Sequence, residues 1–207
     1  MTTRSIVVIS AGVSQPSSTR LLADRLAEAT VTALADLGEQ SRVTVVEVRE
    51  LAHDVVNMTL TGFASASLAA AQAAVAAADG VIAVTPVYTA GPAGLFKAFV
   101  DVLDRDALQG TPVLLGATGG TARHSLVPEV AIRPSFTYLH ADVVTSSVFA
   151  ATDDWADDGG DDVKPLPARI ARAAGELADR VTRRPATTAR PGLYDSVPDF
   201  TELLGGA

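Results

Sequence analysis

The sequence predicts a doubly wound α/β domain, a five-stranded parallel sheet with helices on both faces. Three observations carry that expectation. Short runs rich in Val and Ile alternate with longer stretches of helical period, and Ala and Leu dominate the latter. The residues that follow the first, third and fourth β-rich runs are small, hydroxylated or glycine-rich, as expected where strands end at a ligand-binding rim.

Taken in order, Ser5 to Ser10 is a continuous apolar strand, and Ala11 to Thr19 is a loop of small and turn-forming residues. A helix of clear period runs from about Thr19 to Leu37. Arg42 to Val48 is β-branched and short and is the second strand, whereas Arg49 to Gly62 has no decisive pattern. An Ala-rich helix over Ala64 to Ala78 stops at Asp79-Gly80, and Val81 to Thr85 is a buried strand. Pro92 suits the first turn of a helix reaching about Ala107, with Lys97 and Asp101 one turn apart. Thr111 to Ala117 is the fourth strand. A helical stretch from Ala122 to Leu139, interrupted at Pro134, precedes a fifth strand over Asp142 to Phe149. The acidic stretch Asp153 to Asp162 leads to a last helix from about Leu166 to Thr182. One domain over residues 1–184 and a Pro-containing tail over 185–207 is the expected organisation.

Composition narrows the chemistry. Of 207 residues 48% are apolar, enough for a large core. The net charge of −8 and the lack of a basic stripe argue against nucleic acid and against an anionic membrane surface as partners. An anionic ligand would have to be held locally, by backbone N–H groups at a helix N-terminus. With no cysteine there is no thiol chemistry, so any redox reaction must use a cofactor. The first ten residues lack the apolar region and cleavage site of a signal peptide, which makes the cytoplasm the expected location. His53, His124 and His140 are too scattered for a metal motif, and the acidic stretch lacks the spacing of a calcium loop.

Three loops carry the functional reading. In the first, Ser10, Gln15, Ser17, Ser18, Thr19 and Arg20 surround a helix start, a suitable phosphate cradle; an N-capped helix after a polar turn has the same residues. In the second, Pro86, Val87 and Tyr88 put an amphipathic aromatic beyond a buried strand, where it can lie against a flat ligand or serve the core. In the third, Thr118, Gly119, Gly120 and Thr121 expose backbone donors that can read a heteroaromatic edge, or form a tight turn. All three fall on one rim of the sheet.

Thr85-Pro86-Val87-Tyr88 followed by Gly94-Leu95, Lys97 and Asp101 spells P-x-Y…G-L-x-K-x-x-x-D, and on these residues the chain resembles the flavodoxin-like NAD(P)H-dependent FMN reductases. The first loop agrees in part: Gly12, Ser17 and Thr19 fit, while Val13 and Gln15 stand where Ser and Arg are common, leaving Arg20 or extra N–H donors to supply the missing contact. The resemblance implies bound FMN, with NADPH or NADH delivering a hydride to the flavin N5. It requires no acid or base side chain. It also implies a homodimer or homotetramer burying Ala64 to Ala78 and Gly94 to Val102, and a flavin-dependent monooxygenase as the consumer of reduced flavin. Two other readings share the fold. A quinone, azo-dye or chromate reductase would keep its flavin, and a non-enzymatic electron carrier would oxidise no nicotinamide cofactor.

Overall fold

The computed structural model describes residues 3–155 and 165–185. The parallel sheet comprises β1 (Thr3–Ser10), β2 (Gln40–Glu47), β3 (Gly80–Tyr88), β5 (Pro112–Gly119) and, at its far edge, the two short strands β6 (Asp142–Val143) and β7 (Val148–Ala151). Its order is β2-β1-β3-β5-β6, with β7 also pairing with β5. This is the 2-1-3-4-5 order of the flavodoxin-like doubly wound sheet, the β6 and β7 pair sharing the fifth position. A two-residue strand β4 (Gly91–Pro92) folds back antiparallel on the end of β3.

Helices divide between the faces because residues alternate along each strand. Ile6, Val8, Ile82, Val84 and Leu114 pack against α1 (Ser18–Asp36) and α6 (Leu166–Arg183), through Leu22, Leu26, Ile170 and Leu177. The other face, with Val7, Ile9, Val81, Ala83 and Leu115, is covered by α2 (Ala52–Thr61), α3 (Ala66–Ala76), α4 (Gly94–Asp101) and α5 (Arg133–Tyr138). Phe96 and Phe136 meet there with ring centroids 6.2 Å apart.

The structure corrects several element boundaries. Residues 49–62 form a 3₁₀ turn (Val48–Leu51) and α2, closed by Gly62 at a left-handed φ of 78°. Pro92 is not in the first turn of a helix: it pairs with Val87, and α4 starts two residues later and ends at Asp101. The region 122–139 is a 3₁₀ turn, a π-helical segment (Pro128–Ile132) and α5, so Pro134 lies inside the first turn of α5, where its missing N–H costs nothing.

The fifth strand is divided because two carboxylates capture its middle. Glu176 on α6 accepts from the Ser146 backbone N–H at 2.8 Å and hydroxyl at 2.7 Å, and Glu129 accepts from the Ser147 hydroxyl at 2.6 Å. At the start of the acidic stretch Asp154 pairs with Arg169 and accepts from the Ala151 N–H at 2.8 Å. Residues 156–162 of that stretch, and the tail from 186, lie outside the described residues.

Candidate active site

The carboxyl ends of β1, β3 and β5 are side by side. Ser10 aligns with Val84, Pro86 with Thr118, and the Ala11 N–H donates to the Val84 carbonyl at 3.0 Å. The three loops expected from sequence therefore leave the sheet at one rim, in register.

The first loop turns tightly into α1. Ser17 is the N-cap: its backbone is extended and its Oγ accepts from the Arg20 N–H at 3.2 Å. A side chain at residue 12 would put its Cβ 2.1 Å from Ser17 Oγ and 3.1 Å from Thr19 Cβ, so glycine there lets the loop fold onto its own helix start. The cap consumes one of the free donors of the first turn, and no acidic side chain in that turn competes for the rest. Gln15 and Ser18 are exposed. Ser10, at the end of β1, is fully buried, and its Oγ has no hydrogen-bond partner among the described residues.

Thr19 and Thr118 lie beneath the rim rather than on it. Both are buried, and their hydroxyls bond each other at 2.7 Å, tying α1 to the end of β5. Arg20 is held by Asp24 at 2.7 Å and by Glu47, and these two hydrogen bonds raise its pKa further above the ordinary value.

The second loop is a tight hairpin. Tyr88 and Gly91 pair across Thr89 and Ala90, which take φ of 49° and 62°, the left-handed pair that a two-residue turn demands and that glycine or asparagine usually supplies. The Ala93 N–H, donating to the Pro86 carbonyl at 3.0 Å and to the Thr85 hydroxyl at 3.1 Å, fixes its base. Pro86 is buried, Val87 half-buried, and the Tyr88 side chain is 49% exposed at the tip.

In the third loop Gly119 lies against Phe149 of β7. A Cβ there would come within 2.9 Å of Phe149 Cζ, so the backbone passes close against the tip of the ring. Around Gly120 a Cβ would meet nothing within 4 Å, and Thr121 is exposed, so the chain here faces open space. Phe149 and Arg49, the latter in the segment without a decisive pattern, are the residues near the rim that sequence reasoning missed; neither carries a motif.

A cavity of about 310 Å³ opens at the first loop, between Gly12, Ser17, Arg20 and Arg49. Larger hollows lie elsewhere, one of about 530 Å³ between α4 and α5 and one of about 680 Å³ between α2, α3 and the segment that follows α4. At the rim, the first turn of α1 and the open turn at Gly120 lie at neighbouring strand ends. Trp155 packs on the α1 and α6 side with Arg25 5.1 Å above its ring, anchoring the segment that follows β7. No group of three or more metal-ligating side chains exists among the described residues.

A flavodoxin-like sheet order with a serine-capped helix start after β1 and glycine-rich backbone after β5 defines a class: doubly wound α/β proteins whose ligands bind beyond the carboxyl ends of the strands. Within that class, the family of NADPH-dependent FMN reductases matches residues 4–156, and the chain belongs to it. It is similar to an FMN reductase (NADPH) of Pseudomonas aeruginosa, 34% identical over 175 residues, covering 84% of this chain and 90% of the relative. An NADH-dependent FMN reductase, SfnE, of Pseudomonas putida is 34% identical over 154 residues, 73% of this chain and 79% of its own. Among solved structures, an oxidoreductase of Corynebacterium diphtheriae superposes with a TM-score of 0.84 at 44% identity, covering 88% of this chain and 99% of its own. The apo form of an NADH:FMN oxidoreductase, EmoB, superposes at 0.75 with 29% identity, over 89% and 93%.

Proposed function

We propose that this protein is an NAD(P)H-dependent FMN reductase that supplies reduced flavin to a partner monooxygenase. One observation carries the reading: a chain of this family brings a phosphate-type cradle, an aromatic hairpin and an open glycine turn to adjacent strand ends in register.

The residues fit FMN. Free N–H groups at the start of α1, with Ser17 and Ser18, suit its phosphate, and the orphaned Ser10 Oγ is a polar group in need of a partner. Pro86, Val87 and Tyr88 would flank the ring system, and the backbone at Gly119, Gly120 and Thr121 would donate to its polar edge. Thr19 and Thr118 would act from below by holding α1 against β5. When bound, FMN supplies the hydride-accepting chemistry, and the protein contributes position and electrostatics without an acid or base side chain. Gln15 and Arg20 belong to the cradle wall.

The cytoplasm is the proposed location; no single helix among the described residues is long and apolar enough to cross a membrane. A homodimer or homotetramer is the proposed assembly.

The test is oxidation of NADPH and of NADH by the purified protein, with and without added FMN. Oxidation that scales with added FMN, from a nearly colourless protein, is expected. A yellow protein that requires a quinone or dye acceptor identifies a bound-flavin reductase instead, and no oxidation with any acceptor leaves an electron carrier.

A further inference from the structure

The first loop carries no cation of its own from Ser10 to Thr19, so the charge for a phosphate must come from elsewhere. Arg20, the nearest cation in sequence, is already held by Asp24 and Glu47. Counting those three side chains, one positive and two negative, the cluster carries one excess negative charge and would repel a phosphate.

Arg49 answers that deficit. It sits in the 3₁₀ turn just past the end of β2, and β2 pairs with β1 so that Glu47 aligns with Ser10. It therefore stands on the same rim as the first loop. With the Gln15 amide oxygen turned toward it, Arg49 donates from Nη1 at 2.8 Å and from Nη2 at 2.5 Å to that neutral acceptor. Arg49 forms no ion pair among the described residues, and it lines the 310 Å³ cavity together with Gly12, Ser14 and Ser17. A half-buried guanidinium beside free N–H groups, with an amide as its side-chain partner among the described residues, is available to bind an anion.

Resting on the reductase reading, we propose that Arg49 is the phosphate-binding cation of this site: it reaches across from β2 to bind the phosphate monoester of FMN, with Gln15 orienting its guanidinium. The role falls to the neighbouring strand because the loop itself has no free cation. Arg49 would then decide between FMN and riboflavin, which differ only in that phosphate.

The test titrates FMN and riboflavin separately against wild type, Arg49→Gln and Arg49→Lys, following flavin fluorescence. Arg49→Gln is expected to weaken FMN binding roughly tenfold to a hundredfold, with riboflavin changed by less than about twofold. Arg49→Lys, which keeps the charge but not the fork, is expected to fall between. Equal weakening of both flavins would overturn the proposal in favour of a purely structural role. Unchanged FMN affinity in Arg49→Gln would overturn it outright. Wild type binding neither flavin would remove the reductase reading itself, an outcome distinct from the other two.

Discussion

Thr19 and Thr118 are 99 positions apart, yet each supplies the other's hydrogen bond at 2.7 Å inside the protein. Removing one partner leaves a buried hydroxyl unsatisfied, at about 1–3 kcal/mol, whereas removing both can be nearly neutral. Thr118→Val alone is thus expected to lower stability by about that amount, and Thr19→Val/Thr118→Val by less than the sum of the singles. Urea unfolding of the four-member cycle measures the coupling; strictly additive losses would show that the bond contributes nothing. At Gly119, alanine must displace Phe149, and overpacking of this kind costs about 1–3 kcal/mol. Gly119→Ala is expected to lower the melting temperature and weaken FMN binding, while Gly120→Ala, pointing into open space, should leave the melting temperature unchanged. Sequence placed both threonines at the site because they belong to the right loops. It could not show that they face one another, since a contact between distant residues has no local pattern. Arg49 was invisible for a related reason: it precedes a helix too weakly patterned to be read, and its site arises only from the β1 and β2 register.

Among the elements, the legible ones are those whose period is strong and whose ends are marked. The β1 to α1 unit has both an unbroken apolar strand and a serine cap. The fifth strand misled because its composition is strand-like throughout, while the partners that interrupt it, Glu129 and Glu176, lie on other elements. Those partners make the edge sensitive to acid. The Arg133 guanidinium, helped by the Ser147 hydroxyl and opposed by burial, holds the Glu129 carboxyl below its ordinary 4.5. For Glu176 burial is the largest single influence and pushes upward, but the Ser146 hydroxyl, the Ser146 N–H and Arg172 together outweigh it and leave the carboxyl lowered. With folded values depressed, the unfolded chain binds more protons in acid. The stabilisation is complete above the ordinary 4.5 and is lost as pH falls through the depressed values. Glu129→Gln/Glu176→Gln should accordingly reduce stability at neutral pH and flatten the acid limb of a plot of melting temperature against pH. An acid limb as steep as that of wild type would show that other carboxylates govern it.

For the whole molecule, the two faces of the sheet differ in what they leave exposed. On the side covered by α1 and α6, Leu21 and Leu37 are the large apolar side chains open to solvent among the described residues. The segments packed on the other side expose Val56, Leu60, Phe63, Leu126, Val130 and Tyr138, with Leu60 and Phe63 at 79% and 81%. Fold class was legible because alternation of strands and helices dictates it, but this asymmetry was not, since it depends on which apolar residues the core leaves out. Sequence pointed to Ala64 to Ala78 and Gly94 to Val102 for association; the exposed apolar side chains stand on the neighbouring segments instead. A net charge of −8 repels like copies, so any association must rest on apolar burial at that face. Sedimentation at micromolar concentration is expected to give a mass of two or four chains, unaffected by moderate salt. Leu60→Asp/Phe63→Asp and Leu126→Asp/Val130→Asp test the two exposed clusters separately, and at least one pair should yield a folded monomer, because a buried unpaired carboxylate at an interface costs several kcal/mol. Two assembled variants would move the interface off this face, and a wild-type mass of one chain would remove the assembly altogether.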